Sequence, residues 1–297
     1  MNVREQRPAV PRLRGSAKPH LSGAAERLVA VANERRHQHP ARREAIVEAG
    51  FAAAALAIAL LLPYALGAPA REPVVVAALV AAFALVARVE FDVGAGFVAP
   101  LQLVFVPALF LLHPAWAPLV VVAGLVTARL RDIARDRNPE RQLLVAIGNA
   151  WFAVGPALVL ALGGVSGPAL EHWPLYLLAL AAQFAGDTAT GVAREWLVLG
   201  VPPRLQLRMT GLVYLVDLLL TPIGLLAALA ALDEPLTFAL VLPLAALLRI
   251  FARERAARIG QAIELSAAYR GTAFLLGEAI ADDDAYTGEH SYGVIAL

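Results

Sequence analysis

The 297-residue chain contains no cysteine. Disulfides, thiolate metal sites and a cysteine nucleophile are therefore excluded. Charge is also scarce: 16% of residues are Asp, Glu, Lys or Arg, against about 25% in ordinary soluble domains. The net charge of +1 gives no global field that would draw nucleic acid, and no nucleic-acid partner is expected. GxGxxG, Walker, HExxH and GxSxG motifs are missing, so the common nucleotide, zinc-protease and serine-hydrolase fingerprints do not apply. No internal repeat with a period of roughly 20–50 residues is evident.

What is present is apolar sequence. Hydrophobic residues make up 59% of the chain, with a mean hydropathy of +0.66, and the charges are bunched between long apolar runs. That combination points to an integral membrane protein whose main partner is the lipid bilayer. Eight runs approach the ~20 residues that a helix needs to cross a ~30 Å hydrocarbon core. They are Ala45–Gly67, Val74–Phe91, Gly94–Leu112, Pro114–Leu130, Leu143–Leu162, Trp173–Leu197, Met209–Leu232 and Leu236–Phe251. Pro114 and Pro118 separate the third from the fourth by favouring a tight turn. The expected fold is all-α and polytopic, with about eight transmembrane helices.

The basic residues offer an independent count. With the N-terminus in the cytoplasm and strict alternation, 24 of the 25 Lys and Arg residues fall on the inner side, and only Arg71 falls outside. The positive-inside rule then favours an even number of spans with both termini cytoplasmic. Residues 1–44 hold ten of those cations and lack the short apolar core of a cleavable signal peptide. Within them, Ser22 can cap a short helix through "AERLVAVANERR" that would suit an anionic leaflet. A merely solvated basic tail fits equally well. Glycine clusters such as "GFVAP" and "GGVSGPA" read as close packing and turns.

Several polar residues interrupt the apolar runs, and an acid at the centre of a span costs about 2.5–3.5 kcal/mol. Asp187 and Asp217 lie in the sixth and seventh runs, Asn149 in the fifth and Gln102 in the third. All four fall at a similar depth, roughly 10–13 Å from the inner boundary at 1.5 Å per residue. Gln183 precedes Asp187 by one helical turn and shares its face. Two readings are open: a ligand or ion pocket, or interhelical hydrogen bonding with Asp187 snorkelling or paired to Arg194.

After Phe251 the chain becomes charged and helix-forming. Ala252, Ala256, Ile259, Ile263, Ser266, Arg270, Ala273, Gly277 and Ile280 recur at steps of four and three, which is coiled-coil spacing. A signalling helix over residues 252–281 is expected, and this seam offers a route to a homodimer. Packing of the same helix on a following domain is the equal alternative.

The chain closes on "DDDAYTGEHSYGVIAL". The segment "LLGEAIADDDAYTGEHSYGVIAL" resembles the entry into an HD-GYP domain, a subgroup of the HD-superfamily metal-dependent phosphohydrolases. In that family a leading helix precedes a D-x-Y-T-x-x-H-S segment, matched here by Asp284, Tyr286, Thr287, His290 and Ser291. The preceding stretches "REWLVLGVPPRLQLR" and "FARERAARIGQAIELSAAYRGTAFLLGEAI" also resemble bacterial proteins that place such a domain after a multi-span sensor. The resemblance implies cyclic di-GMP hydrolysis by a divalent-metal site, iron or manganese, with His290 as its first ligand. Tyr286 stands where some members carry a metal-binding glutamate, which favours a two-metal version, and Tyr292 replaces the usual arginine. No His-Asp pair and no Gly-Tyr-Pro occur in the chain. On that resemblance the chain is expected to hold no catalytic residues and no cofactor of its own, and to stop at the start of the domain.

The expected organisation is a basic cytoplasmic tail (1–44), a transmembrane sensor module (45–251), a linker helix (252–281) and the first residues of a truncated HD-GYP domain (282–297). Its expected location is the bacterial inner membrane. A small-molecule or ion transporter, or a sensor for another cytoplasmic output, are the rival readings.

Overall fold

The structure, a computed structural model, describes residues 42–69, 72–89, 91–93, 96–134, 138–165, 167–199 and 203–283. The basic tail up to residue 41, with its Ser22-capped helix, lies outside the described residues. So does the segment from Asp284 onward. The described part is helical apart from one two-stranded hairpin. Among the described residues four stretches are long and apolar enough to cross a membrane: Arg42–Ala65, Pro139–Leu162, Val213–Ala230 and Pro235–Leu276.

The first helix, α1 (Arg42–Ala65), illustrates how the elements pack. Its buried positions are small or few: Ala52, Ala55, Ala59, Leu62 and Pro63. Leu60, Leu61 and Tyr64 face outward, and Tyr64 is 83% exposed. Small residues inside and large apolar residues outside reverse the pattern of a soluble bundle, and suit a helix whose outer face meets hydrocarbon. α2 (Pro73–Val86) opens with proline at its first position, where the missing N–H costs nothing.

The third apolar run is not one helix. An antiparallel hairpin, β1 (Phe91–Val93) with β2 (Gly96–Val98), pairs Phe91 with Val98 and Val93 with Gly96. A ten-residue helix follows, α3 (Gln102–Leu111). Pro100 biases the residue before it toward extended backbone, which delays the helix start. At 1.5 Å per residue α3 is about 15 Å long, half a bilayer core. Gln102 through Phe110 are all buried, so α3 is a core helix wrapped by its neighbours.

A 3₁₀ turn (Pro114–Trp116) leads into α4 (Ala117–Ile133). The fifth run is continuous in direction but changes helix type: α5 (Pro139–Gly148), a 3₁₀ stretch (Asn149–Ala153), then α6 (Val154–Leu162). Pro156 cannot donate to the carbonyl of Phe152, and this accounts for the altered pitch just upstream. Gly164 turns the chain at φ +69°. α7 (Trp173–Leu199) and α8 (Pro203–Ala230) are long and regular. A 3₁₀ turn (Pro235–Val241) then starts α9 (Leu242–Asp283), a single 42-residue helix. The eighth apolar run and the linker are thus one rod, about 63 Å long.

Hydrogen bonds tie the helices at both ends. At one end Glu44 of α1 pairs with Arg141 of α5 at 2.8 Å, and Arg88 after α2 donates to the Ala128 carbonyl of α4 at 3.0 Å. At the other end the Trp116 indole donates to the Pro69 carbonyl at 3.1 Å. Glycines permit close helix crossings. A Cβ at Gly124 would sit 2.7 Å from Phe83 Cβ, and one at Gly155 would sit 2.6 Å from the Ala182 carbonyl oxygen.

Gly124→Val should therefore destabilise the α2–α4 crossing by about 1–3 kcal/mol through overpacking. Gly50, which has nothing within 4 Å, supplies the control. Thermal unfolding of both variants in one detergent should show a lowered midpoint for Gly124→Val and an unchanged one for Gly50→Ala.

Candidate functional site

Gln183, Asp187, Thr190 and Arg194 recur on α7 at steps of three and four, so they form one stripe. Tyr214, Asp217, Thr221 and Gly224 do the same on α8. The two stripes converge with the head of α3. At Gly224 the backbones come close: a Cβ there would lie 2.5 Å from the Gln102 carbonyl oxygen and 2.9 Å from Val106 Cβ. Only glycine permits that approach, and it brings the Gln102 backbone onto α8.

Gln102 is 2% exposed. Its Oε1 has no hydrogen-bond partner. Asp187 lies within electrostatic reach of Asp217. Tyr214 Oη donates to Asp187 Oδ2 at 3.1 Å and sits 2.6 Å from Thr188 Oγ1. With the phenol proton directed at Asp187, the threonine hydroxyl is the donor in the second contact. The Tyr214 ring stacks on Phe184, with centroids 4.4 Å apart. Thr190 and Thr221 turn their hydroxyls back onto the carbonyls of Gly186 and Asp217, at 2.8 and 2.7 Å, which removes two donors from the interior.

Beside this cluster lies a cavity of about 40 Å³. Its walls are almost wholly apolar, with Phe105, Phe110 and Tyr176 among them; Gln102, Gln183 and Thr221 border it, and neither Asp187 nor Asp217 does. Gln183 is 5% exposed. A space of this size accommodates a water-sized occupant, far below the ~300 Å³ of an ordinary small-molecule pocket.

Asn149 belongs to a different site. Its Oδ1 accepts from Arg194 Nη1 at 2.9 Å. The same guanidinium forms a two-pronged pair with Glu48 of α1, through Nε at 3.2 Å and through Nη2. Arg194 thus pairs with Glu48 rather than with Asp187, which it reaches only through its field. The pairing expected between Asp187 and Arg194 gives way because the planar fork matches a carboxylate bidentately, and Glu48 offers that geometry.

Of the five residues singled out from sequence, the structure sets Asp187 within electrostatic reach of Asp217, places Gln102 and Gln183 on the adjoining cavity, and bonds Asn149 to Arg194. His290, with Asp284, Tyr286, Thr287 and Ser291, lies outside the described residues. Among the described residues no three His, Asp or Glu side chains converge as a metal site. Sequence reasoning missed Tyr214 and Glu48. Tyr214 was detectable as a polar aromatic one turn before Asp217, and Glu48 as an acid inside the first apolar helix.

No family model, curated protein or solved structure matches the chain.

The Glu48–Arg194 pair is largely buried, with side chains 12% and 16% exposed. Removing one partner leaves the other charge uncompensated, so Arg194→Met should cost about 3 kcal/mol or more. Chemical denaturation in nanodiscs should show much of that loss recovered in the double variant Glu48→Met/Arg194→Met.

Proposed function

We propose that this chain is the membrane sensory region of a bacterial HD-GYP phosphohydrolase of the cyclic di-GMP phosphodiesterase class. Its catalytic domain would begin near Asp282, with His290 as the first metal ligand. The observation that carries this reading is α9. It leaves the apolar bundle and runs unbroken to Asp283, the residue before the D-x-Y-T-x-x-H-S segment. Ile259, Leu265, Tyr269 and Phe274 are exposed along it. A rigid rod between a membrane bundle and a soluble enzyme is the simplest mechanical coupling the two could have. The segment that follows would supply iron or manganese chemistry on a cyclic dinucleotide.

In this reading the chain crosses the inner membrane in eight apolar segments, with both termini cytoplasmic. The cross-ties support it. Glu44–Arg141, Arg88–Ala128 and Glu48–Arg194 join chain ends that alternation assigns to the cytoplasmic side. Trp116–Pro69 joins ends that it assigns to the outside. The short α2 and α3 would cross with the help of the hairpin and loops, which are tolerated at membrane depth where protein surrounds them.

A transporter is the second reading. It is favoured by the 3₁₀ interruption at Asn149–Ala153 and by the hairpin-led α3, since broken helices build many transport sites.

The absence of native cysteine makes labelling clean. Single replacements Arg137→Cys and Arg204→Cys should react with a membrane-impermeant maleimide only after cell lysis, and Ser166→Cys and Asp233→Cys in intact cells. Labelling of Arg137→Cys in intact cells would overturn the eight-segment topology. Residues 1–297 alone should not hydrolyse cyclic di-GMP with manganese or iron. The chain extended by the coding sequence downstream of Leu297 should do so, and His290→Ala should weaken its metal loading by opening the coordination shell. An extended protein that moves a solute across vesicles and lacks hydrolysis would favour the transporter.

A further inference from the structure

We propose that a cavity between α2 and α4 binds a compact, uncharged apolar molecule of about two rings, taken up sideways from the bilayer. This goes beyond the sensory reading, because the pocket resides in the bundle whatever the output domain is. In a sensor it would set the class of ligand detected.

Three observations carry it. The first is the shape of one helix crossing. Val76, Val80 and Phe83 recur on α2 at steps of four and three, so they share a face. Trp116, Val120 and Ala123 follow the same steps into α4. The two helices are tightest at Gly124, where a Cβ would lie 2.7 Å from Phe83 Cβ. Away from that crossing they part around a cavity of about 290 Å³, bordered by Val76, Val80, Leu119 and Ala123. Its far end is bridged by Trp116, which lines the cavity and donates to the Pro69 carbonyl at 3.1 Å. The second is wall chemistry. The described residues that line the cavity are apolar. The indole N–H of Trp116 is the one polar side-chain group among them, and Pro69 already holds it. No side chain in the lining is left to pair a charge or bond a polar ligand, and burying such a group unpaired is costly. The third is the mouth. Leu112 and Val120 are 2% and 3% exposed and form the back wall. Val76, Val80, Leu119 and Ala123 each keep part of their surface exposed. With both ends closed, the opening is lateral, on the side where α2 and α4 would meet hydrocarbon.

Size and shape set the class. Apolar cavities of about 150 Å³ take up benzene. A volume of about 290 Å³ therefore suits about two fused rings, at the lower edge of ordinary small-molecule sites. The closed ends disfavour a long acyl chain, which would have to bend in and out through the side mouth. A compact ring system enters without bending, and it reaches the mouth by dissolving in the bilayer.

The test uses the 297-residue chain in nanodiscs, with Trp151, Trp173 and Trp196 replaced by Phe so that Trp116 reports alone. Para-dibromobenzene, a compact heavy-atom quencher, is titrated by mole fraction in the lipid. Partitioning alone gives quenching that grows linearly, whereas occupancy of the cavity adds a saturable component. Naphthalene should abolish that component, and naphthalene sulfonate should leave it. Ala123→Leu, which fills the cavity, should remove it, and Leu219→Ala on the outward face of α8 should keep it. If the triple replacement fails to fold, the Tm of the wild-type chain keeps the test intact. Naphthalene should raise that Tm by about 3 °C or more per tenfold increase above its Kd, and should not raise it in Ala123→Leu. The proposal is overturned if neither the saturable component nor the Tm rise appears, or if either survives in Ala123→Leu. If the component is absent and a phospholipid brominated along its acyl chain quenches Trp116 instead, with relief by Ala123→Leu, the cavity holds a lipid chain and the proposal is equally overturned.

Discussion

A polar group in hydrocarbon has no water to fall back on, so it must find its partner inside the chain. The interior of this protein is organised around that requirement. Arg194 brings Glu48 and Asn149 together from elements 45 and 146 residues away in sequence. Tyr214 joins Thr188 to Asp187. The Trp151 indole donates to the Phe51 carbonyl at 3.0 Å, and so ties the 3₁₀ stretch to α1. Each pair fixes the rotation of two helices about their axes, which apolar contact alone leaves loosely specified. The polar residues are few, but they set which faces meet.

Close approach is the second device. Where lipid surrounds a bundle, burying large apolar side chains gains little over leaving them in lipid, so helices associate through fitted contact. Gly124, Gly155 and Gly224 each stand where a Cβ would collide with a neighbouring helix, while Leu60, Leu219 and Leu226 point outward. Gly224 matters most for the site. It seats the head of α3, which carries the buried Gln102, against the face of α8 that carries Asp217 and Thr221. Packing at this position therefore decides which polar residues lie near one another.

Apolar run length, proline and charge made much of the fold legible in advance. The all-α class, most of the helical segments and the long helix after Phe251 follow from them. The run Gly94–Leu112 was misjudged as one helix because hydropathy counts apolar residues without regard to backbone. Phe91–Val98 can pair as a hairpin, and Pro100 restarts the chain, yet the composition of the run is the same either way. For the site, shared depth grouped Gln102, Asp187, Asp217 and Asn149. Asn149 bonds Arg194 instead of these residues, because depth fixes height along the bundle and not direction around it. That direction depends on Arg194, whose choice of Glu48 over Asp187 is a matter of three-dimensional geometry that spacing in one helix does not encode.

The location of α3 gives the site a mechanical consequence. This short helix is buried along its length and packs on α8. It also touches the 3₁₀ turn Pro235–Val241, from which α9 departs. Phe238 in that turn is 1% exposed, so the turn is anchored in the core. The hairpin that precedes α3 contacts α9 as well. Any change in how the head of α3 sits against α8 therefore acts on the element that also holds the root of α9. A shift applied at the root of a continuous helix tilts or rotates its whole length, since hydrogen bonds every four residues leave little give along the axis. The surrounding core is close-packed and resists gradual deformation, so a small change at α3 is either absorbed by a loose contact or passed on as a discrete one. With Gly224 closing the space between α3 and α8, the loose contact is not there to absorb it.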